Sequence, residues 1–594
     1  MTKAILRRLL VFVLMGAATT AMAEDLTFTG GAGTGSLTDK DNWGGTLPGA
    51  DDQAIVPYLE GFGSFFLGAD FTVSSSKWTG WSASTPAVLD LKEKTMNLGT
   101  FTLGASSTLV LTNGTFNLTS GKTSFGASSV LYVNKDAVVT FPDTLASGTF
   151  TIGKTAKIVV DGGYLCAPMT SGSSYGTGVT FGEYNNGSHL TVINGGTFTF
   201  PSTKGRKTML LYGGSKMTVK DSTFDIGNGN NVTFPMMSGN GGVRVSASNS
   251  TFNVYSWNVG GNAQIGVTAN KGIYDFVDST YTSGFTHDPY NYGFRFYKST
   301  SDTLNITRTT FSSSIYTDGT VSGLTVNFNG GTLEGDVLFA NNPSSSKYIQ
   351  RGGKLNGRVQ ITGKNNEFRV LGGKGGKEHC NYKFDVSGSG HELEFSGGAT
   401  YWSSQWAENA AVFSIAKGAK DVHTVVSNAT WYWEGYVYLT ASNDNCVVEF
   451  RGATPRIELR TWQKMDNTYQ VQFGSSDSEL LGHVTALKFV LPSAPYATAP
   501  IYGYGNLKPI KFHPNAKIIV EEGDWTIGTD RTKTFYPLAY DAKSFNSEMT
   551  AELVASLNAN ATLPEGAALE YDSAKKVLGV RMPRKKLGMM LIVQ

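Results

Sequence analysis

The sequence predicts an all-β protein, and within that class a single-stranded parallel β-helix, from three observations. A short phrase recurs from about residue 89 to residue 455, as LVLTNGTF (109–116), MTVKDSTF (217–224), YDFVDSTY (274–281), LNITRTTF (304–311), VNFNGGTL (326–333) and LEFSGGAT (393–400). Successive copies lie roughly 20 to 33 residues apart, the length of one coil of a solenoid and not of a domain. Within each copy, apolar residues alternate on either side of a corner that suits a left-handed backbone.

The strand comes first. Taking the Thr of the phrase or its equivalent as an anchor gives Thr95, Thr115, Ala137, Tyr164, Thr197, Thr223, Thr251, Thr280, Thr310, Thr332, Lys354, Lys374, Ala399, Thr430 and Thr454. Four residues earlier stands an apolar side chain such as Leu91, Leu111, Val133, Val160, Phe276, Phe328, Phe395 or Phe450, with Ala247 and Gln350 as the exceptions. A second apolar residue usually stands two places before that, so each unit contributes a strand with one buried face.

The corner follows. Two residues before the anchor stand Gly162, Gly195, Gly330, Gly352, Gly372, Gly397 and Gly452, or Asn113, Asn249, Asn428, Asp221 and Asp278. Glu93, Lys135 and Arg308 break the set. Gly, Asn and Asp share a tolerance of positive φ, which predicts a tight corner there. A second corner opens several units at Leu103-Gly104, Phe125-Gly126, Ile152-Gly153, Phe181-Gly182 and Tyr212-Gly213. Strand, corner, strand is the coil of a parallel β-helix. With 71 glycines and continual Ser, Thr and Asn punctuation, almost no stretch would hold a long helix.

Composition narrows the function classes. Charged residues make up 16% of the 594, and the net charge of +2 provides no basic field for nucleic acid. Residues 1–23 read as a secretory signal: Lys3, Arg7 and Arg8, the apolar run LLVFVLM, then Ala21-Met22-Ala23 before Glu24. That run is too short to span a membrane, and no later segment is long enough. The expected location is secreted or cell-surface, with no integral membrane segment after signal removal. Cys166, Cys380 and Cys446 are an odd, scattered set and read as small core hydrophobes, not a disulfide framework.

The ends need covers, because the terminal strands of a stack recruit other chains. Residues 41–57, with Trp43 as a bulky lid and Pro48-Gly49 as a turn, read as an N-terminal cap. Residues 548–558 read as one short helix, LEYDSAKKVLGVRM (569–582) as a hairpin about Asp572-Ser573-Ala574-Lys575, and LGMMLIVQ as a last strand. The expected organisation is a signal at 1–23, an N-terminal cap and first coils at 24–85, repeats at 86–460, and irregular coils with a capping segment at 461–594.

The NW-G-P-D opening (Asn42, Trp43, Gly45, Pro48, Asp51), the GGTF-type corners and the closing LEYDSAKKVLGV hairpin resemble the bacterial surface proteins built from autotransporter-associated β-strand repeats. The resemblance covers most of the mature chain. It implies a right-handed β-helix, in keeping with the usual hand of parallel crossovers, and an exported passenger-like rod with an adhesive role. No segment reads as the translocator barrel of an autotransporter proper.

The chemistry-bearing candidates are few. Tyr401 and Tyr432 stand two residues beyond the anchors Ala399 and Thr430, and Trp402 and Trp433 stand three beyond; Trp406, Tyr436 and Tyr438 lie close in sequence. Equal offsets on adjacent coils predict a Tyr pair on one face and a Trp pair on the other. Alternation favours the Tyr pair as the outward one, and the Trp pair is the better candidate for a core ladder. Exposed rings in a row suit stacking against sugars, so Tyr401, Trp402, Trp406, Tyr432, Trp433 and Tyr436 are the candidate carbohydrate-binding residues, with a polysaccharide or matrix glycan as partner. Asp51-Asp52 and Glu521-Glu522-Gly523-Asp524 are weaker candidates for calcium, without the dense Gly/Asp nonapeptides of calcium-bound β-helices. Outward acids and the histidines are scattered, so no catalytic residue, metal ligand or cofactor is assigned. The expected function is an exported structural or adhesive surface rod; the alternative is a polysaccharide-active β-helix enzyme, a lyase or hydrolase.

Overall fold

The computed structural model is almost wholly β: 56% of it lies in strands and 3% in helix, and the strands wind into a parallel β-solenoid of about 13 turns. The structure describes residues 23–119, 123–141, 150–167, 175–181, 187–200, 206–226, 232–236, 242–254, 256–260, 269–283, 293–376, 382–404, 412–435, 437–440, 444–460, 471–474, 482–483, 485–503, 510–523, 534–541 and 549–583. All but the last residue of the expected signal, and the expected strand LGMMLIVQ, lie outside them. The chain divides into two compact units, residues 1–209 with 221–226, and residues 210–220 with 227–594.

In the first unit, one column of parallel strands runs Ala87–Asp90, Thr108–Thr112, Val130–Asn134, Lys157–Asp161 and His189–Ile193. Its register sets Leu89, Leu111, Val133, Val160 and Val192 in one row, all buried. A second column, Thr95–Leu103, Gly114–Leu118, Ala137–Thr140, Tyr164–Cys166, Thr197–Phe200 and Thr223–Ile226, stacks Met96, Phe116, Val139, Leu165, Phe198 and Phe224. Phe198 and Phe224 lie face to face with ring centroids 5.2 Å apart. Each large side chain so buried contributes on the order of 1.5–3 kcal/mol, which is why the alternation in the sequence survives as register.

The corners take the left-handed backbone that their residue types suggest. Asn113, Asp221, Asn249, Asp278 and Asn428 have φ between 47° and 55°, and Gly162, Gly195, Gly397 and Gly452 are also positive. Two of the exceptions obey as well: Glu93 (φ 61°) and Arg308 (φ 46°) adopt the same conformation. The stack imposes it, and Arg308 gains a partner there, pairing at 2.6 Å with Asp278 one coil away. At Lys135, Gly352 and Gly372 the positive φ falls on the following residue, Asp136, Gly353 and Gly373.

In the second unit the corresponding column runs Arg244–Ser248, Ile273–Val277, Thr303–Thr307, Thr325–Glu334, Lys347–Asn356, Glu367–Val370, Glu392–Phe395, His423–Ser427, Val447–Arg451, Ala486–Leu491 and Ile518–Glu522. Parallel pairing thus runs past residue 460, where the recognisable phrase ends. The interior of this unit is aromatic, with Tyr281 stacked on Phe311 (4.3 Å), Tyr348 on Phe368 (4.8 Å) and Phe395 on Trp431 (4.4 Å).

Towards the N-terminus, Asp25–Thr27 pairs with Gln53–Pro57, and a 3-10 turn at Lys40–Trp43 buries Trp43 against Phe28 and Phe71. Its indole N–H donates to the Leu37 carbonyl at 3.0 Å, so the ring is buried without losing a hydrogen bond. Towards the C-terminus the pairing turns antiparallel: Phe535–Asp541 pairs with Val577–Arg581, which pairs in turn with Ala568–Asp572. The expected hairpin is therefore present, and the expected helix forms at Ala551–Asn560 with Thr550 as its N-cap. Asn558 on this helix receives the Leu569 N–H and donates to the Leu569 carbonyl, occupying both groups on the strand Ala568–Asp572. Thr562 exchanges hydrogen bonds with Ile518 and Val520 on the last strand of the long column.

Candidate functional site

The aromatic candidates lie on the strands Thr400–Ser404 and Thr430–Glu434 of the second unit, and the register between them differs by one residue from the sequence expectation. Thr400, not Ala399, stands level with Thr430. The corner explains the slip. Gly397 and Gly398 are both left-handed (φ 63° and 75°), whereas Asn428 alone is left-handed in the next coil. Ala399 is consequently a buried corner residue, as Ala429 is.

A shift of one residue turns every side chain of a strand to the opposite face. Tyr401 therefore faces Trp431 and lies in the core, 2% exposed, and Trp433 is wholly buried. Neither lines the surface, which corrects the expectation of an outward Tyr401–Tyr432 pair. Tyr401 packs on Phe395 (5.3 Å) and Phe384 (5.9 Å), and burial, with Asp336 nearby, drives its phenol far above the ordinary tyrosine range. Trp431 donates its indole N–H to Ser403 at 2.9 Å. The expected core ladder of Trp402 and Trp433 does not form, because the same slip leaves Trp402 outside; Trp433 instead packs beside Trp431 on its own strand, with ring centroids 5.2 Å apart. Trp406 and Tyr436 lie outside the described residues, as do the side-chain surroundings of Tyr438.

The outward pair is Trp402 and Tyr432, half-buried and stacked at 4.1 Å with an angle of 15° between the rings. The same row continues through three further coils: Tyr432 is level with Glu458, Glu458 with Tyr502, and Tyr502 with Tyr540. Arg456 and Arg460 flank Glu458 on its own strand and grip its carboxylate at 2.7 and 2.6 Å. Arg460 reaches over Tyr432 and Trp402, and Arg456 lies 4.3 Å over the Tyr502 ring, which is stacked on Tyr540 at 4.8 Å. Glu434, also buried, accepts the Ser404 hydroxyl at 2.9 Å.

The column is thus a ladder of Trp402, Tyr432, Arg460, Glu458, Arg456, Tyr502 and Tyr540, with coils about 4.8 Å apart. Its ring faces are turned towards one another, so ring edges and polar groups meet the solvent; the flat platform expected from the sequence is replaced by a closed stack. Sequence reading missed its second half. The alternation RIELR (456–460) and the tyrosines of IYGYG (501–505) and FYPLAYD (535–541) were the available signals, but no repeat phrase marks their register. Two guanidiniums fix the Glu458 carboxylate in place, which suits it to orienting hydroxyl groups.

Two of the acidic candidates have protein partners, and Asp524 lies outside the described residues. Asp52 accepts the backbone N–H groups of Gly49 (2.9 Å) and Glu24 (3.0 Å), which hold its carboxyl below the usual range, and Glu521 pairs with Lys488 at 2.9 Å. Among the described residues, no group of three or more His, Cys, Asp or Glu is placed to hold a metal ion, and no helix is long and apolar enough to cross a membrane. Compared with protein-family models, curated proteins and solved structures, the chain matches none.

Proposed function

We propose that this chain is an exported bacterial surface protein, a passenger-like β-solenoid of the kind its repeats resemble, whose adhesive face takes an extended glycan along the outward column from Trp402 to Tyr540. The observation that carries the reading is the continuity of that column. Five consecutive coils present an aromatic ring or a charged group at one row position, where isolated rings would suit only a small ligand. A glycan lying along the coil axis meets tyrosine and indole edges, with the guanidinium groups of Arg456 and Arg460 between them. The outward half of the stack is aromatic at both ends and polar in the middle, an arrangement that fixes a chain's position as well as its orientation.

The test is equilibrium binding of the full chain to a panel of soluble polysaccharides, with the double variant Trp402→Ala, Tyr432→Ala beside it. The reading expects at least one extended glycan to bind the parent and to lose about tenfold or more in affinity with the variant, since each stacked ring contributes on the order of 1 kcal/mol. Equal binding by parent and variant, or no binding across the panel, would leave the chain a scaffold. Release of oligosaccharides from any member of the same panel would establish the enzyme alternative instead.

A further inference from the structure

A row of buried polar side chains stands just before the strands of the long column in the second unit: Asp302, Ser346, Asn366 and His391, each with no exposed surface. Asn366 and His391 do the same work one coil apart. The Asn366 Oδ1 accepts the Ser346 N–H at 2.8 Å, and its amide nitrogen donates to the carbonyls of Thr362 (2.6 Å) and Pro343 (3.0 Å). The His391 Nδ1 accepts the Asn366 N–H at 3.2 Å, and its Nε2 lies 2.9 Å from the Ser387 carbonyl.

These partners decide the protonation state. A backbone N–H aimed at Nδ1 requires a bare nitrogen there, and a carbonyl opposite Nε2 requires a proton there. His391 is therefore the neutral Nε2–H tautomer. A proton added at Nδ1 sets one N–H against another in a site closed to water, and the Asn366 N–H loses its acceptor. The charged groups on the corners packed against it, Lys364 and Glu367 on one side and Glu392, Lys420, Asp421 and His423 on the other, stand exposed or half-exposed on the outer surface. Burial is the largest influence on the imidazole and pushes its pKa below the ordinary value, against the hydrogen bonds at Ser387, Asn366 and Gly363.

We propose that His391 is an acid-operated latch: neutral, it ties the corner of Asn366 to its own coil, and on protonation it releases the Asn366 amide and opens the seam between Glu367–Val370 and Glu392–Phe395. Asn366 is the built-in control, because an amide side chain makes the same two kinds of contact and does not titrate.

Hydrogen exchange on the full chain tests this at the two twin amides, Ser346 and Asn366. Between pH 7 and pH 5, with intrinsic exchange rates divided out, protection of the Asn366 amide is expected to fall by up to about tenfold per pH unit, while the Ser346 amide keeps its protection. His391→Asn is expected to abolish the pH dependence at Asn366. Equal retention of both amides at pH 5 in the parent overturns the latch, and this comparison stands even if the variant does not fold. A folded His391→Asn protein with the parent's acid loss overturns it too.

Discussion

Trp402 lies face to face with Tyr432 on the outside of the second unit, while its sequence neighbour Tyr401 is sealed in the core against Phe395. Two adjacent aromatic residues thus have opposite roles, and truncating them separates the two. Tyr401→Ala is expected to cost about 3–5 kcal/mol, the range for emptying a buried aromatic site. Trp402→Ala removes one outward stack and should cost about 0.5–1.5 kcal/mol. Denaturant titration of both variants checks this, and a mild effect of Tyr401→Ala would mean that the register between Thr400–Ser404 and Thr430–Glu434 is wrong.

Gly397 and Gly330 separate backbone strain from crowding. Both have positive φ, 63° and 109°. A Cβ on Gly397 would also run into the Leu371 carbonyl, whereas at Gly330 the nearest atom, on Arg308, is 3.8 Å away. Gly330→Val is expected to cost about 1–3 kcal/mol from strain alone, and Gly397→Val more. Thermal melting of the pair gives the order, and equal stability of both variants and the parent would contradict the corner geometry.

Much of this was legible because it is local. The alternation of Leu109 and Leu111 and the corner residues Asn113 and Gly162 declare strand and turn within a few positions. The register at Ala399 was not legible, because two consecutive left-handed glycines lengthen a corner without changing its sequence appearance. Nor was the interior polar row. Asn366 and His391 sit before the strand, where the period of two has not begun, and only stacking brings their side chains inward. The positive φ of Glu93 and Arg308 is likewise a property of the stack and not of the residue type.

Asp302 gives a pH effect opposite in sign to that of His391. Burial is the main cause that raises its carboxyl to about 6, against hydrogen bonds from Ser299 and Gly272 that favour the anion. The folded state then holds the proton more tightly than the unfolded chain does, so this group's stabilisation is complete below pH 3.8 and is lost as pH rises to about 6. Asp302→Asn should remove that slope and, at pH 7.5, gain up to about 3 kcal/mol, since an amide carries no charge into the buried site. Urea midpoints of parent and variant from pH 4 to pH 8 check it, and a variant that is less stable at pH 7.5 than at pH 4 relative to the parent contradicts it.

Asn558 occupies both backbone groups of Leu569 on the strand Ala568–Asp572. Asn558→Ala is expected to destabilise the C-terminal segment by about 1–3 kcal/mol, and deletion of residues 565–594 to expose strand edges and drive association. Light scattering of the truncated chain is the check; a soluble monomer of parental stability would show that the segment does not act as a cap.

The central claim, that the outward column of the second unit is the ligand face, is tested most directly by oxidative footprinting of the full chain alone and with a bound polysaccharide. The account predicts labelling of Trp402, Tyr432, Tyr502 and Tyr540 in the free protein and their joint protection in the complex, with Tyr401, Trp431 and Trp433 unlabelled in both states. Labelling of Tyr401 in the free protein, or protection confined to residues away from this column, would contradict it.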